Sequence, residues 1–373
     1  MKNDFKILEK IDWNVLNTYI KENLIMANKH PDHDIWILNY TQNTQFSKAW
    51  DIYTLSCRGL VIDAEGNILA RPFQKFKNYE EHDPSEIDMN EPFEMFDKMD
   101  GSLGILFFYE VTQEWIIASR GSFTSDQAIE AKKILEEKGF DFIIINGIGK
   151  SLTYLFEIIY KENRIVIDYG NMRDVVLLSV IDTKLGDEIR YDNLKIAFGD
   201  LFTIVKKYEI PNIKNLEDLK SLEEANREGF VVRFSNGFRV KVKFVEYVRL
   251  HRIITNVSNV NVWDALRNNQ SLDELLNNVP DEFYNWLKKT VKSLEDGFNE
   301  IERLALKEYY RIACVENIIT RKEFALESLK TPYAAILFKL HDRKPYNYII
   351  WGMLKPVFSK PFKDGYDEDV ETT

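Results

Sequence analysis

Short apolar runs dominate the first two thirds of the chain. GLVID at 59–63, ILARPF at 68–73, LGILFFYE at 103–110 and EWIIAS at 114–119 have the length and bounding residues of strands. The last two flank Val111, Thr112 and Gln113, a separation that suits a hairpin. The period then changes. In SDQAIEAKKILEEK, 125–138, Ala128, Ala131, Ile134 and Leu135 recur at helical spacing and Gly139 supplies the stop. Strands are predicted again over 151–160, 163–170 and 173–182, and a second helical insertion over 212–226. GFVVRFSNGFRVKVKF, 229–244, is a hairpin signal in which Asn236 and Gly237 form the turn. No regular strand–helix–strand alternation runs through this region, which predicts an α+β domain over residues 1–250. Beyond it, separated apolar positions and few glycines predict a mainly α-helical domain over 251–373, with helices over 281–309 and 321–330. The closing KDGYDEDVETT is acidic and poor in packing residues, the pattern of a frayed tail.

Composition agrees with a folded two-domain chain. The 373 residues exceed one ordinary core, and 45% hydrophobic with 13% aromatic residues excludes general disorder. A net charge of −11 argues against an overall nucleic-acid coat but leaves room for a local basic channel. Cys57 and Cys314 alone support neither a disulfide framework nor a cysteine zinc site, so a reducing compartment is expected. In HPDHD, 30–34, His30 and His33 sit among turn formers, and a solvated loop is favoured over a metal site. MKNDFKILEK lacks the apolar core of a secretory signal, and no run approaches the roughly 20 apolar residues that span a bilayer. Cytoplasmic residence, in the host cell if the source is a virus, is the expectation.

Candidate chemistry centres on FDKMDGSLG, 96–104. Lys98 alone is compatible with a charged hairpin rim, because Asp100, Gly101 and Ser102 suit a turn. Other residues add weight. Glu157 lies within an apolar strand, Glu228 immediately precedes another, and Lys241 and Lys243 share one face by the twofold strand period. Neighbouring cations favour the neutral, nucleophilic form of a lysine, and lysines beside it can offset phosphate charge. Glu157 and Glu228 could then orient a ribose, a lysine or a divalent ion; as a glycosidase acid/base pair they would leave the paired lysines unexplained. The chain contains no GxxxxGK[ST] loop, no HExxH and no GxSxG.

Lys98-Met99-Asp100-Gly101 resembles the KxDG motif of the covalent nucleotidyltransferase superfamily. The closer resemblance is to phage-type ATP-dependent RNA ligases of the RNA ligase 1-like, tRNA-repair kind. It rests on an ordered set: Asn39 and Tyr40, SCRGLVID at 56–63, RPFQKFKNYEE at 71–81, SRGS at 119–122, LFEII at 155–159, VVLLSV at 175–180, EGFVV at 228–232, and KVK at 241–243 followed by Tyr247. The resemblance implies an adenylyltransferase domain of ATP-grasp-like antiparallel sheets with helices. In it, Lys98 would attack ATP to give a lysyl-AMP phosphoramidate, AMP would pass to an RNA 5′-phosphate, and a 3′-hydroxyl would displace it. It places Arg58 and Lys75 near ATP phosphates or the RNA end, Lys241 and Lys243 near the transferred phosphate, and Arg120 against nucleotide or RNA. Glu157 is implied at the ribose or metal side and Glu228 in metal support, with magnesium, or manganese, as the ion. Tyr40 and Tyr247 are implied in the nucleotide pocket, although core packing accounts for either ring equally well. The partner implied is RNA with 5′-phosphate and 3′-hydroxyl ends, such as a nicked tRNA, bound by a monomer with no membrane role.

Three positions depart from the family pattern. Met99 follows the lysine where an acidic residue can occur, Lys77 stands where a second aromatic would fit, and Arg120 replaces a possible lysine. A capping guanylyltransferase or DNA ligase would share the first covalent step, but both usually continue into an OB-fold, whereas the region after 250 reads as helical. A noncatalytic RNA-binding protein would explain the lysines without the ordered motifs. In KPYNYIIWGMLKP, 344–356, Trp351 is expected to pack rather than to bind RNA.

Overall fold

A computed structural model describes residues 7–140, 149–210, 213–272, 281–315 and 320–359. The first unit is built from three sheets. Strands β1 (Ile25–Lys29), β2 (Ile35–Tyr40), β3 (Arg58–Asp63) and β4 (Ile68–Ala70) form an antiparallel sheet in chain order. The second sheet draws on β6 (Ser102–Tyr109), β7 (Glu114–Ser119), β8 (Leu152–Ile159), β9 (Asp174–Asp182) and β10 (Thr203–Ile204), in the order β10-β9-β8-β6-β7. Its pairs are antiparallel apart from β9 with β10. The third sheet has the order β11-β5-β12-β13, from β5 (Phe93–Asp97), β11 (Lys207–Tyr208), β12 (Gly229–Phe234) and β13 (Arg239–Lys243).

Strand alternation divides the core. Leu106 and Phe108 of β6 face one way, into a cluster with Tyr154, Phe156, and Ala131, Ile134 and Leu135 of helix Asp126–Glu137. Ile105, Phe107 and Tyr109 face the other way, against Ile35, Ile37, Val61 and Ala70 of the first sheet. The second sheet is therefore covered on both faces, which explains its nearly continuous apolar runs. Ser125 caps the helix by accepting from the Ala128 amide.

Between β5 and β6 the chain passes from the third sheet to the second across residues 98–101. The Lys98 amide still donates to the Gly229 carbonyl at 3.0 Å, one step beyond the Asp97–Phe230 pairing.

The second unit is mainly helical, and the division falls at Arg249/Leu250, within helix Val245–Asn256. Helix Asp281–Tyr310 packs with Ala334–His341 and Asn347–Met353 around Ala305, Ile336 and Ile350. Trp351 packs there too: its ring lies 5.1 Å from that of Phe298, and its carbonyl accepts from Trp263 Nε1 at 2.8 Å. Among the described residues no helix is long and apolar enough to cross a membrane.

One predicted element is corrected. Residues 163–170 are not a strand: a short 3-10 turn, Lys161–Asn163, leads into irregular backbone. The amides of Val166 and Ile167 are spent on a carboxylate rather than on a ladder. The helical insertion expected over 212–226 is present as a shorter 3-10 helix, Leu216–Leu222, with a capping box Asn215–Asp218; residues 211–212 lie outside the described residues. Helix Tyr191–Phe198, not anticipated from the pattern, buries only Leu194 and Phe198. The 30–34 turn is irregular as expected, but its rings are packed: His30 and His33 stack at 4.4 Å and His33 pairs with Glu114 at 3.0 Å. The acidic tail over 363–373 lies outside the described residues.

Candidate active site

Sheet register brings Lys98 to Glu228. Because Asp97 pairs with Phe230 across β5 and β12, Lys98 falls opposite Gly229, and its side chain reaches the residue just beyond that glycine, Glu228. Lys98 Nζ lies 2.6 Å from Glu228 Oε1, with the lysine side chain 19% exposed and the glutamate 2%. The same oxygen is 3.5 Å from Lys243 Nζ. A second ion pair, Arg227 to Asp97 at 2.9 Å, runs alongside, and the Arg227 guanidinium lies 4.6 Å from the centre of the Tyr208 ring. The nearest charged neighbour of Lys98 is thus a carboxylate rather than the cation expected from the lysine-rich hairpin. Glu228 Oε2 is buried without a hydrogen-bond partner.

Asp100 is held by four contacts. Its Oδ2 accepts from the amides of Val166 and Ile167, each at 2.8 Å, and its Oδ1 accepts from the Tyr247 hydroxyl at 2.8 Å. Its own amide donates to the Tyr169 hydroxyl at 2.7 Å. Tyr247 therefore has its hydroxyl committed to this carboxylate, and Lys243 Nζ stands 5.5 Å from its ring centre. The loop that supplies the amides is tied to the turn preceding Glu228: Asn226 and Asp168 exchange hydrogen bonds at 2.6 and 2.7 Å.

Glu157 enters from β8, opposite Leu103 of β6, and accepts from the Gly101 amide at 2.9 Å. A Cβ at Gly101 would come within 2.6 Å of the Ile158 carbonyl, so only glycine lets the turn pass this close to β8. Burial pushes the Glu157 carboxyl up to about 8; Lys98 opposes the shift, while Glu228 and Asp100 add to it.

A second group gathers around Tyr40 and Phe76. Arg120 Nη1 donates to the Tyr40 hydroxyl at 3.5 Å, and Lys75 Nζ lies 5.7 Å from the Tyr40 ring and 5.8 Å from that of Trp50. Arg58 and Lys241 approach the Phe76 ring to 5.9 and 5.2 Å. Gly59, at φ +96°, permits the close passage of Arg120: a Cβ there would stand 3.1 Å from the Arg120 carbonyl. Phe76 thus joins the Arg58 group to β13, whose Lys243 reaches Glu228. All ten candidate residues fall in these two groups. Asp100, Asn163, Tyr169, Trp50 and Phe76 were not singled out. Asp100 lay within the KxDG motif, whereas Tyr169 carried no signal beyond closing an apolar run. Ser102 Oγ donates to Asn163 Oδ1 at 3.0 Å, which anchors the start of β6.

Lys98 is thus a partly exposed lysine on a buried carboxylate, with Lys243 on the same carboxylate oxygen, in a three-sheet α+β domain. The chain belongs to the RNA ligase family, whose model matches residues 56–247. It is 23% identical over 350 residues to an RNA ligase of Rhodothermus phage RM378, covering 75% of this chain and 76% of that one. Among solved structures it is similar to an archaeal ATP-dependent RNA ligase, with a TM-score of 0.45 and 11% identity over 76% of each chain. It is also similar to a Naegleria gruberi RNA ligase with pyrophosphate, with a TM-score of 0.40 and 17% identity over 49% of this chain and 60% of that one. The chain spans 41% of the length of a relative from Autographa californica nuclear polyhedrosis virus and 59% of one from Thermovibrio ammonificans.

Proposed function

We propose that the chain joins RNA 3′-hydroxyl and 5′-phosphate ends using ATP, with Lys98 as the nucleophile. The observation that carries the reading is the Lys98 amine held 2.6 Å from the buried Glu228 carboxylate, at the KxDG turn of an RNA ligase family domain. In the first step a proton leaves the ammonium, Glu228 being the nearest acceptor. The Nζ lone pair then forms a bond to the α-phosphorus as the bond to the pyrophosphate oxygen breaks. The adenylyl group next passes to an oxygen of an RNA 5′-phosphate, and the lysine recovers its proton on leaving. Finally a 3′-hydroxyl oxygen attacks that 5′-phosphorus, its proton is lost and AMP departs. Lys243, Lys241, Lys75, Arg58 and Arg120 supply fixed positive charge for the phosphates in all three steps.

Glu157 and Glu228 suit a divalent ion, magnesium or manganese. Glu228 Oε2 is buried without a hydrogen-bond partner, and the Glu157 carboxyl is raised by burial and by Glu228 and Asp100, both of which a bound cation would offset. Among the described residues no cluster of three or more His, Cys, Asp or Glu side chains could hold a metal alone, so an ion here would need substrate phosphates and water as further ligands. Such an ion would neutralise phosphate charge. Residues 1–250 would carry the adenylyl chemistry, and the helical residues 251–373 would read the RNA, with a nicked tRNA as the narrower assignment and the cytoplasm as the setting.

The test uses purified protein, magnesium, and ATP or GTP labelled at the α-phosphate, followed by 5′-phosphorylated RNA. Label from ATP on the protein and circular RNA are expected, both lost in Lys98→Ala. Labelling by GTP alone, or RNA binding with no covalent adduct, would overturn the proposal.

A further inference from the structure

A cleft of about 390 Å³ lies in the first unit, lined by Arg71, Phe73, Asp187, Glu188, Arg233 and Arg239 among others. None of these six carries a role in the chemistry above. Glu188 accepts from Arg239 and lies 3.5 Å from Arg233, so two guanidiniums share one carboxylate. Burial raises the Glu188 carboxyl, and the two arginines more than reverse this, keeping it anionic below the usual range. With Arg71 the cleft holds more positive than negative side chains. Its volume suits a unit the size of a nucleotide, and Phe73 offers a ring with Arg239 4.4 Å from its centre.

The cleft shares strand β13 with the Lys98 site. Arg239, Lys241 and Lys243 occupy alternate positions of β13 and so one face, about 6.7 Å apart in steps of two residues. Beneath them the rings follow the same line: Arg239 stands on Phe73, Phe73 meets Phe76 at 6.3 Å, and Lys241 stands on Phe76. From Lys243 to Arg239 the strand runs about 13 Å. A nucleotide on Lys98 needs no cation site so far away, whereas a polynucleotide, whose charge repeats along its length, does.

We infer that this cleft binds a phosphodiester and base of the RNA strand whose 5′-phosphate is presented at Lys98, one to a few nucleotides into that strand. The inference rests on the RNA-joining reading and adds the path the strand takes. Phosphates would exchange for Glu188 as partners of Arg233 and Arg239, and a base would lie against Phe73.

Binding of a 5′-phosphorylated RNA hexanucleotide and of a 5′-phosphorylated mononucleotide is measured against salt by the full chain, Arg233→Gln and Asp187→Asn. Arg233→Gln is expected to weaken the hexanucleotide several-fold and lower its logarithmic salt slope by about one, leaving the mononucleotide as it was. Asp187→Asn is expected to tighten the hexanucleotide. Equal effects on both ligands, or no effect on either, would overturn the inference. ATP labelling of each protein reports whether the Lys98 site survives. Should wild-type protein not label at all, the joining reading fails while the hexanucleotide series still decides whether the cleft holds RNA.

Discussion

Glu228 holds Lys98 at 2.6 Å through one carboxylate oxygen while its other oxygen is buried without a partner. The pair is thus half satisfied. Removing the lysine leaves a carboxylate, 2% exposed, with Lys243 at 3.5 Å as its remaining counter-ion. Lys98→Met is expected to cost up to about 3 kcal/mol in urea denaturation, because stranding one member of a buried pair is worse than removing both. Glu228→Gln in the same chain should restore most of it. Additive losses in the two single variants and the double would show that the pair is not coupled.

Glu157 makes stability depend on pH. The unfolded chain releases this proton near 4.5, whereas the folded chain keeps it until about 8. Between those values the folded state binds more protons, so the contribution of this group falls as pH rises through that window and is flat outside it. Thermal midpoints from pH 5 to 8.5 should decline less steeply in Glu157→Gln than in the wild type. Parallel curves would rule out the assignment.

The Tyr247 hydroxyl is one of three donors on the buried Asp100 carboxylate. Tyr247→Phe keeps the ring and removes one of them, with an expected loss of about 1–3 kcal/mol. A change within a few tenths of that wild-type value would mean that water takes over the hydrogen bond.

Gly101→Ala forces a methyl to within 2.6 Å of the Ile158 carbonyl, backbone that cannot rotate away. The turn must lift from β8 and release the Gly101–Glu157 hydrogen bond. A destabilisation of about 1–3 kcal/mol is expected, together with loss of ATP labelling. Labelling at the wild-type rate would argue that the turn tolerates the lift.

Much of the first unit was legible because strands buried on both faces advertise themselves as unbroken apolar runs, as LGILFFYE does. The same signal misled at 163–170. NRIVIDYG is apolar enough for a strand, but hydropathy says nothing about where amide protons go, and here two of them go to Asp100. The ordered motifs named the candidate residues that folding gathers into two groups. The pairings were not legible, since Glu188 and Arg239, or Tyr169 and Asp100, meet only through folding. The helix Tyr191–Phe198 was missed for a plainer reason: two buried positions make too short a period to detect.

Lys98 stands where the chain leaves one sheet for another, its amide still bonded to β12 and its fourth successor already paired to β8. It belongs to neither sheet and is anchored by both. The position of the Lys98 amine therefore acts as a gauge of the angle between them. Any substitution that tilts either sheet reaches it through no more than four residues of backbone, which is why changes far from the charge cluster are able to misalign it.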